Sequence, residues 1–153
     1  MSMIAVMLVI ALGCAPDTDT YTEVDTIDLL PDEGLVVLID DVEVMRCTAE
    51  ETVATQSSYD TARTDAWCYS DDDDHVTLGI FADVDEPGVW YPPIARLDLM
   101  LDGLTVTSNT SPDYEIAITA MEPMEMQAYG LLPGAPPQRE LLIVVRKATE
   151  PWF

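Results

Sequence analysis

The sequence predicts an all-β fold, either an antiparallel β-sandwich or a small barrel of about six to eight strands. Short apolar or alternating segments recur along residues 35–153, and turn residues separate them. The clearest segment is a predicted hairpin, and two further segments are apolar throughout, as in strands whose two faces are both covered.

The hairpin lies in the segment RLDLMLDGLTVT, which has Asp-Gly at positions 102–103. This dipeptide is the one that a type I′ two-residue turn prefers. The turn makes Leu101 face Leu104 and Leu99 face Val106. Both pairs then fall on one face of the hairpin, so turn chemistry and hydrophobic alternation predict the same register.

The other strands follow in chain order. Residues 35–39 are all apolar, and residues 42–47 alternate. Residues 75–82 and 114–119 place apolar side chains at every second position, and residues 141–145 form another apolar run. The spacing of Thr48 and Glu51 is that of a capping box and predicts a short helix over residues 49–56. The Val, Thr and Ser content of that segment predicts an irregular strand equally well.

The chain is strongly acidic but not poor in apolar residues. Among its 153 residues, 29 are Asp or Glu and 6 are Lys or Arg, which gives a net charge of −23, and 48% are hydrophobic. This composition is typical of one folded domain with an anionic surface. Binding to nucleic acid or to anionic lipid head groups through a basic face is excluded, because six scattered cations cannot neutralise a run of phosphates.

The N-terminus has the pattern of a signal peptide. Residues 1–12, MSMIAVMLVIAL, carry no charge and are too short to span a bilayer core of ~30 Å, which needs about 20 residues. The end of this run, Ala11-Leu12-Gly13-Cys14, resembles the lipobox of bacterial lipoproteins, in which a small residue precedes the cysteine. The resemblance implies that residues 1–13 are removed and that Cys14 is acylated. An ordinary secretory peptide and an N-terminal hydrophobic strand are the alternatives.

A lipoprotein would be held in the bacterial cell envelope by its acyl chains without entering the membrane. Ala15 stands where an Asp would resemble an inner-membrane retention signal, which favours the outer membrane. The folded domain would then face the periplasm or the exterior. Residues 14–34 contain seven acids and no base, and we interpret them as the lipidated Cys14 followed by an extended linker. Residues 24–30 could instead add an edge strand to the domain, which we place at residues 35–153.

Cys47 and Cys68 remain once Cys14 is assigned to lipid, and an even pair suits one disulfide in an oxidising compartment. The bridge would close a loop of about 20 residues and contribute roughly 3 kcal/mol. The alternative is a metal pair. Zinc needs three or four Cys or His ligands, and His75 is the one histidine of the chain. We therefore predict the disulfide.

The sequence contains no motif for catalysis. With a single histidine and no phosphate-cradling loop, nucleophile elbow or zinc-protease helix, we expect a protein that is not an enzyme. The strongest candidate for a cofactor is calcium, because calcium takes six to eight oxygen ligands and loops often supply them. The predicted ligands are four consecutive carboxylates, Asp71, Asp72, Asp73 and Asp74. The alternative is a solvated turn.

Two further segments stand out. Trp90 and Tyr91 lie in a Pro-rich turn, where exposed aromatic rings would stack on sugars or Pro-rich peptides, unless they cover the open end of the sandwich. Met121, Met124 and Met126 have a spacing that resembles methionine-rich copper(I) segments of periplasmic copper proteins, although adaptable core filling is the commoner use of methionine.

The function expected from these features is that of a non-enzymatic, lipid-anchored cell-envelope protein whose β-sandwich binds a partner protein or surface polymer, through Trp90 and Tyr91. One alternative is a module that binds calcium or another cation through residues 71–74. A further alternative is a salt-adapted structural envelope protein without a small ligand.

Overall fold

A computed structural model describes residues 33–57, 62–107 and 114–151, which belong to one compact unit, Asp32–Phe153. The predicted signal peptide, Cys14, residues 24–30 and the linker up to residue 32 lie outside the described residues. In chain order the strands are β1 (Gly34–Ile39), β2 (Val42–Cys47), β3 (Thr52–Ser57), β4 (Arg63–Tyr69), β5 (His75–Ile80), β6 (Gly88–Trp90), β7 (Ala95–Leu101), β8 (Leu104–Thr107), β9 (Tyr114–Met121), β10 (Met124–Leu131), β11 (Glu140–Lys147) and β12 (Glu150–Pro151).

The strands form two sheets that pack face to face as a sandwich and do not close into a barrel. The first sheet has the order β2-β1-β11-β10-β9-β6, and the second has the order β12-β3-β4-β5-β7-β8. All pairings are antiparallel except that of the two-residue β12 with β3. The all-β prediction is confirmed, and of its two architectures the sandwich is the observed one. The strands outnumber the expected six to eight, since short elements such as β6 carry little pattern of their own.

No helix occurs in the described ranges, so none of the elements found there is a helix that would cross a membrane.

The core lies between the sheets. In the second sheet, one row of inward residues crosses four strands through Ala54, Ala66, Leu78 and Leu97, and all four side chains are buried. Alternate residues of β1, β10 and β11 complete the same cluster from the first sheet. Because strand side chains alternate between faces, the remaining residues of β4, β5 and β7 are directed away from the core.

Strand β1 is buried along its whole length, which confirms the prediction of a strand covered on both faces. It begins at Gly34, where φ is +146° and a Cβ atom would lie 2.7 Å from the carbonyl oxygen of Cys47. Both the backbone conformation and the close approach of the neighbouring strand therefore require glycine at this position.

The predicted hairpin is confirmed. β7 and β8 pair Leu101 with Leu104 and Leu99 with Val106. Asp102 and Gly103 both have positive φ, at 44° and 80°, as a type I′ turn requires.

The predicted short helix does not form, and the strand alternative is the observed one. The Glu51 carboxylate accepts hydrogen bonds from the Thr48 amide (2.8 Å) and hydroxyl (3.0 Å), so the capping contacts exist. The Thr52 amide donates to the Thr48 carbonyl at 3.1 Å, which closes a single turn. From Thr52 onward the chain pairs with β4 in β3, because sheet pairing outweighs the local helix signal.

The predicted disulfide between Cys47 and Cys68 is present, with Cα atoms 6.5 Å apart. Cys47 ends β2 in the first sheet, and Cys68 lies in β4 of the second sheet. Both side chains are buried. The bridge therefore joins the two layers of the sandwich through the core.

Candidate binding surfaces

The six cations of the chain are all paired with carboxylates. The pairs are Arg46–Glu43, Arg63–Asp65, Arg96–Asp98, Arg139–Asp40, Arg146–Glu125 and Lys147–Glu33. Six different acids are used, so each positive charge is neutralised within the chain. The net charge of −23 is carried by the remaining acids.

The acidic loop joins β4 to β5 and is tightly folded. The Ser70 amide donates to the Asp74 carbonyl at 2.8 Å, and Asp73 has a φ of 66°. The Asp74 carboxylate accepts a hydrogen bond from the Asp102 amide at 3.0 Å, which ties the loop to the tip of the β7–β8 hairpin. A depression of ≈ 570 Å³ lies between them. Its lining consists of Asp72, Asp73, Asp74, Met100, Asp102 and Gly103.

These carboxylates do not converge on one point. In the part of the chain that the structure describes, no group of three or more His, Cys, Asp or Glu side chains could hold a metal ion. Calcium binding by Asp71, Asp72, Asp73 and Asp74 therefore has no geometric support and stays a prediction. Asp102 was predicted only as a turn residue, and the structure places it beside the acidic loop.

The structure separates the two predicted aromatic site residues. Trp90 ends the edge strand β6, is half-buried and packs against the core. Its ring lies over Gly88, where a Cβ atom would be 3.1 Å from ring atom Cη2. Tyr91 is 59% exposed. A hydrogen bond to Glu115, reinforced by the negative charge of that residue, raises the pKa of the Tyr91 hydroxyl.

Tyr91 belongs to a group of exposed apolar side chains in the connection between β5 and β7. We call this group the 81–94 surface, and its exposed members are Phe81 (41%), Val89 (47%), Tyr91 (59%) and Ile94 (47%). Two backbone hydrogen bonds fix Phe81, Tyr91 and Ile94, from the Phe81 amide to the Ile94 carbonyl and from the Ala95 amide to the Tyr91 carbonyl, each 2.9 Å, while Val89 lies in the edge strand β6. The Arg63 guanidinium lies 4.9 Å from the centre of the Phe81 ring.

A second surface covers the outer face of the second sheet. Tyr69, His75 and Met100 lie side by side there on β4, β5 and β7. The Tyr69 and His75 rings are stacked, with centroids 5.4 Å apart and an angle of 28° between their planes. A groove of ≈ 240 Å³ runs beside them. Its polar lining is formed by His75, Thr77, Asp98, Thr105 and Thr107.

The same face holds one buried carboxylate. Asp65 is 3% exposed and forms an ion pair with Arg63. Burial raises the pKa of the Asp65 carboxyl, while the hydrogen bond from Arg63 and the charges of Arg63 and Arg96 oppose that change. Its Oδ1 atom has no hydrogen-bond partner among the residues that the structure describes, and it lies over Gly79, where a Cβ atom would be only 2.8 Å away. A glycine at position 79 therefore makes room for this carboxylate.

The methionine segment belongs to the core. Met124 and Met126 are 1% and 0% exposed, and Met121 packs against the same cluster. In this arrangement the three thioethers fill space between the sheets.

The chain matches no known protein family, no curated protein and no solved structure. Proposals about its function therefore depend on the surfaces, the charge and the N-terminal pattern described above.

Proposed function

We propose that the chain is a non-enzymatic, lipid-anchored protein of the bacterial cell envelope, whose β-sandwich binds a partner protein or surface polymer. The observation that carries this proposal is the 81–94 surface. On a chain with a net charge of −23, the connection between β5 and β7 exposes the large apolar side chains of Phe81, Val89, Tyr91 and Ile94, and a backbone hydrogen bond joins Phe81 to Ile94. Contiguous exposed apolar patches are typical of interaction sites.

The composition of this surface favours a protein partner over a polysaccharide. Sugars stack on flat aromatic rings and need polar neighbours, and Tyr91 alone offers both, through its ring and its hydroxyl. Val89 and Ile94 offer only branched aliphatic groups, which gain free energy by being covered with apolar surface. Trp90, packed on the core beside them, holds the chain in place rather than contacting the partner itself.

The envelope location has separate support. The apolar run that ends at Gly13-Cys14 resembles a lipobox, and acyl chains on Cys14 would anchor the domain. The Cys47–Cys68 disulfide supports an oxidising compartment, such as the periplasm or the cell surface. Ala15 favours the outer membrane. The acidic linker would hold the domain away from the bilayer.

The anchor is tested by Cys14→Ser. The wild-type chain is expected in the membrane fraction and labelled by a palmitate analogue, whereas the variant should lose the label and leave that fraction. A variant that is still acylated would contradict the lipoprotein assignment.

The partner surface is tested by Tyr91→Ala with Ile94→Ser. Central interface aromatic residues typically contribute 2 kcal/mol or more, so we expect a loss of affinity of about 30-fold for the captured partner. The matched control is Val42→Ala, at a position that is 62% exposed on β2 at the far edge of the first sheet. Equal capture of the partner by both variants would show that the 81–94 surface does not bind it.

A further inference from the structure

The outer face of the second sheet carries a surface that is separate from the 81–94 surface. Arg63, which lies over Phe81, and Tyr69 stand at opposite ends of β4, about 20 Å apart at the rise of an extended strand. The groove beside Tyr69 and the depression at the hairpin tip share Met100 in their linings. The two hollows therefore adjoin at Met100, and we call them together the Tyr69 groove.

The floor of the Tyr69 groove is apolar and aromatic. Tyr69 is 60% exposed and Met100 is 38% exposed, and His75 lies between them in register and stacks against the Tyr69 ring. Exposed aromatic and thioether groups bind the methylene stem of a long side chain, and an aromatic face attracts a cation above it. Such a floor suits a side chain that is apolar along its stem and positively charged at its tip.

The walls of the groove are acidic. Asp98 lines the part beside Tyr69, and Asp73 and Asp102 line the part at the hairpin tip. The cation nearest in register, Arg96, is already paired with Asp98 at 2.7 Å. Neither Asp73 nor Asp102 is among the acids that pair with the six cations of the chain. The part of the groove at the hairpin tip, next to Met100, therefore presents negative charge that no Lys or Arg of the chain compensates.

The groove has room for polypeptide side chains. Its part beside Tyr69 has a volume of ≈ 240 Å³, and the adjoining depression at the hairpin tip has a volume of ≈ 570 Å³. This space accommodates one or two long side chains of an extended polypeptide segment.

We propose that the Tyr69 groove binds a basic, extended segment of a partner protein. One Arg or Lys side chain of that segment lies across Tyr69 and Met100, and its charged end lies beside the carboxylates of Asp73 and Asp102 at the hairpin tip. Charge complementarity identifies the occupant as basic, because the groove is acidic. The exposed ring of Tyr69 favours an occupant with a long side chain that can lie on it. This inference goes beyond the proposed function and depends neither on the 81–94 surface nor on the lipid anchor.

The test uses the full chain in a non-ionic detergent and a short capped peptide of alternating arginine and threonine as the probe. Binding is measured at physiological salt, where attraction between exposed charges is screened beyond ~8 Å. We expect Tyr69→Ala to weaken binding about tenfold, or ~1.4 kcal/mol, while Tyr69→Phe binds like the wild type because the ring face makes the contact. Tyr129→Ala, at an exposed tyrosine of the first sheet, is the matched control and should bind normally.

The charge is tested by two double variants that each remove two carboxylates. Asp73→Asn with Asp102→Asn alters the groove, and asparagine tolerates the positive φ of both positions. Asp83→Asn with Asp85→Asn removes the same charge at exposed positions on another loop. We expect the first pair to weaken binding about tenfold and the second pair to have little effect, a difference of ~1.4 kcal/mol.

Equal weakening by both pairs would show that the peptide is attracted by net charge alone and would overturn the proposal. Absence of binding by the wild-type chain, or unchanged binding by Tyr69→Ala, would overturn it as well. Thermal melting of each variant establishes that it is folded, and the two asparagine pairs keep the test valid should Tyr69→Ala fail to fold.

Discussion

Substituting Gly79 tests the packing around the buried Asp65 carboxylate. A Cβ atom at position 79 would lie 2.8 Å from Asp65 Oδ1, which is closer than side chains approach in folded proteins. Overpacking of this kind costs typically 1–3 kcal/mol. Gly79 has no positive φ, so alanine would also gain about 0.4–1 kcal/mol by restricting the unfolded chain. These opposing effects leave a net loss of ~0–2.6 kcal/mol, so we expect Gly79→Ala to lower the free energy of unfolding by about 1 kcal/mol.

The sign of this effect should reverse when the carboxylate is removed. In an Asp65→Ala background the atom that clashes is absent, and only the gain from the unfolded chain remains. Gly79→Ala should then raise the free energy of unfolding by about 0.4–1 kcal/mol. The coupling energy is obtained from urea unfolding of the four proteins of a double-mutant cycle. If Gly79→Ala has the same effect in both backgrounds, the Asp65 carboxylate does not occupy the space over Gly79, and the predicted clash is wrong.

Three other expectations concern the disulfide, pH and calcium. Replacing Cys47 and Cys68 by alanine should lower stability by about 3 kcal/mol, as expected for the 21-residue separation, and reductant should have no further effect on that variant. Burial raises the pKa of Asp65 above its ordinary value of 3.8, so its contribution to stability is present below pH 3.8 and is lost as pH rises through the higher folded-state pKa. Asp65→Asn should lack this decrease when urea unfolding is measured against pH. Parallel pH profiles of the wild type and the variant would contradict this expectation. Millimolar calcium should raise the melting temperature no more than sodium chloride of equal ionic strength, since no three His, Cys, Asp or Glu side chains of the described residues are placed to share one ion. A calcium-specific rise would favour the cation-binding alternative.

The elements that could be predicted from the sequence are those whose local preference and hydrophobic pattern indicate the same structure. The Asp102-Gly103 turn fixes its own register, because its backbone preference and the flanking alternation both depend on neighbouring residues. The apolar run of β1 and the pairing of Cys47 with Cys68 follow in the same way from composition and cysteine number.

The features that sequence reasoning missed depend on contacts between distant residues. The capping contacts of Thr48 and Glu51 form, yet β3 follows because β4 is available to pair with it. Trp90 and Tyr91 are adjacent in sequence, but only the position of β6 at the edge of the first sheet shows that one packs and the other is exposed.

The candidate sites were predictable only in part for the same reason. Tyr91 was identified from its turn. Phe81 and Ile94 are brought together by a backbone hydrogen bond between them, which no local pattern indicates. The Tyr69 groove depends on the register of three strands. The acidic run at residues 71–74 indicates a cation site in the sequence, but among the described residues no three such side chains are placed to hold a metal ion.

The central claim is that the 81–94 surface contacts a partner in the cell envelope. The most direct measurement is to place a photo-crosslinking amino acid at position 91 in the full chain, irradiate living cells, and compare the products with those from position 42, which is similarly exposed. We expect one discrete crosslinked protein from position 91 that is absent from position 42 and is lost when Cys14→Ser removes the anchor. Identical products from both positions, or none from position 91, would contradict it.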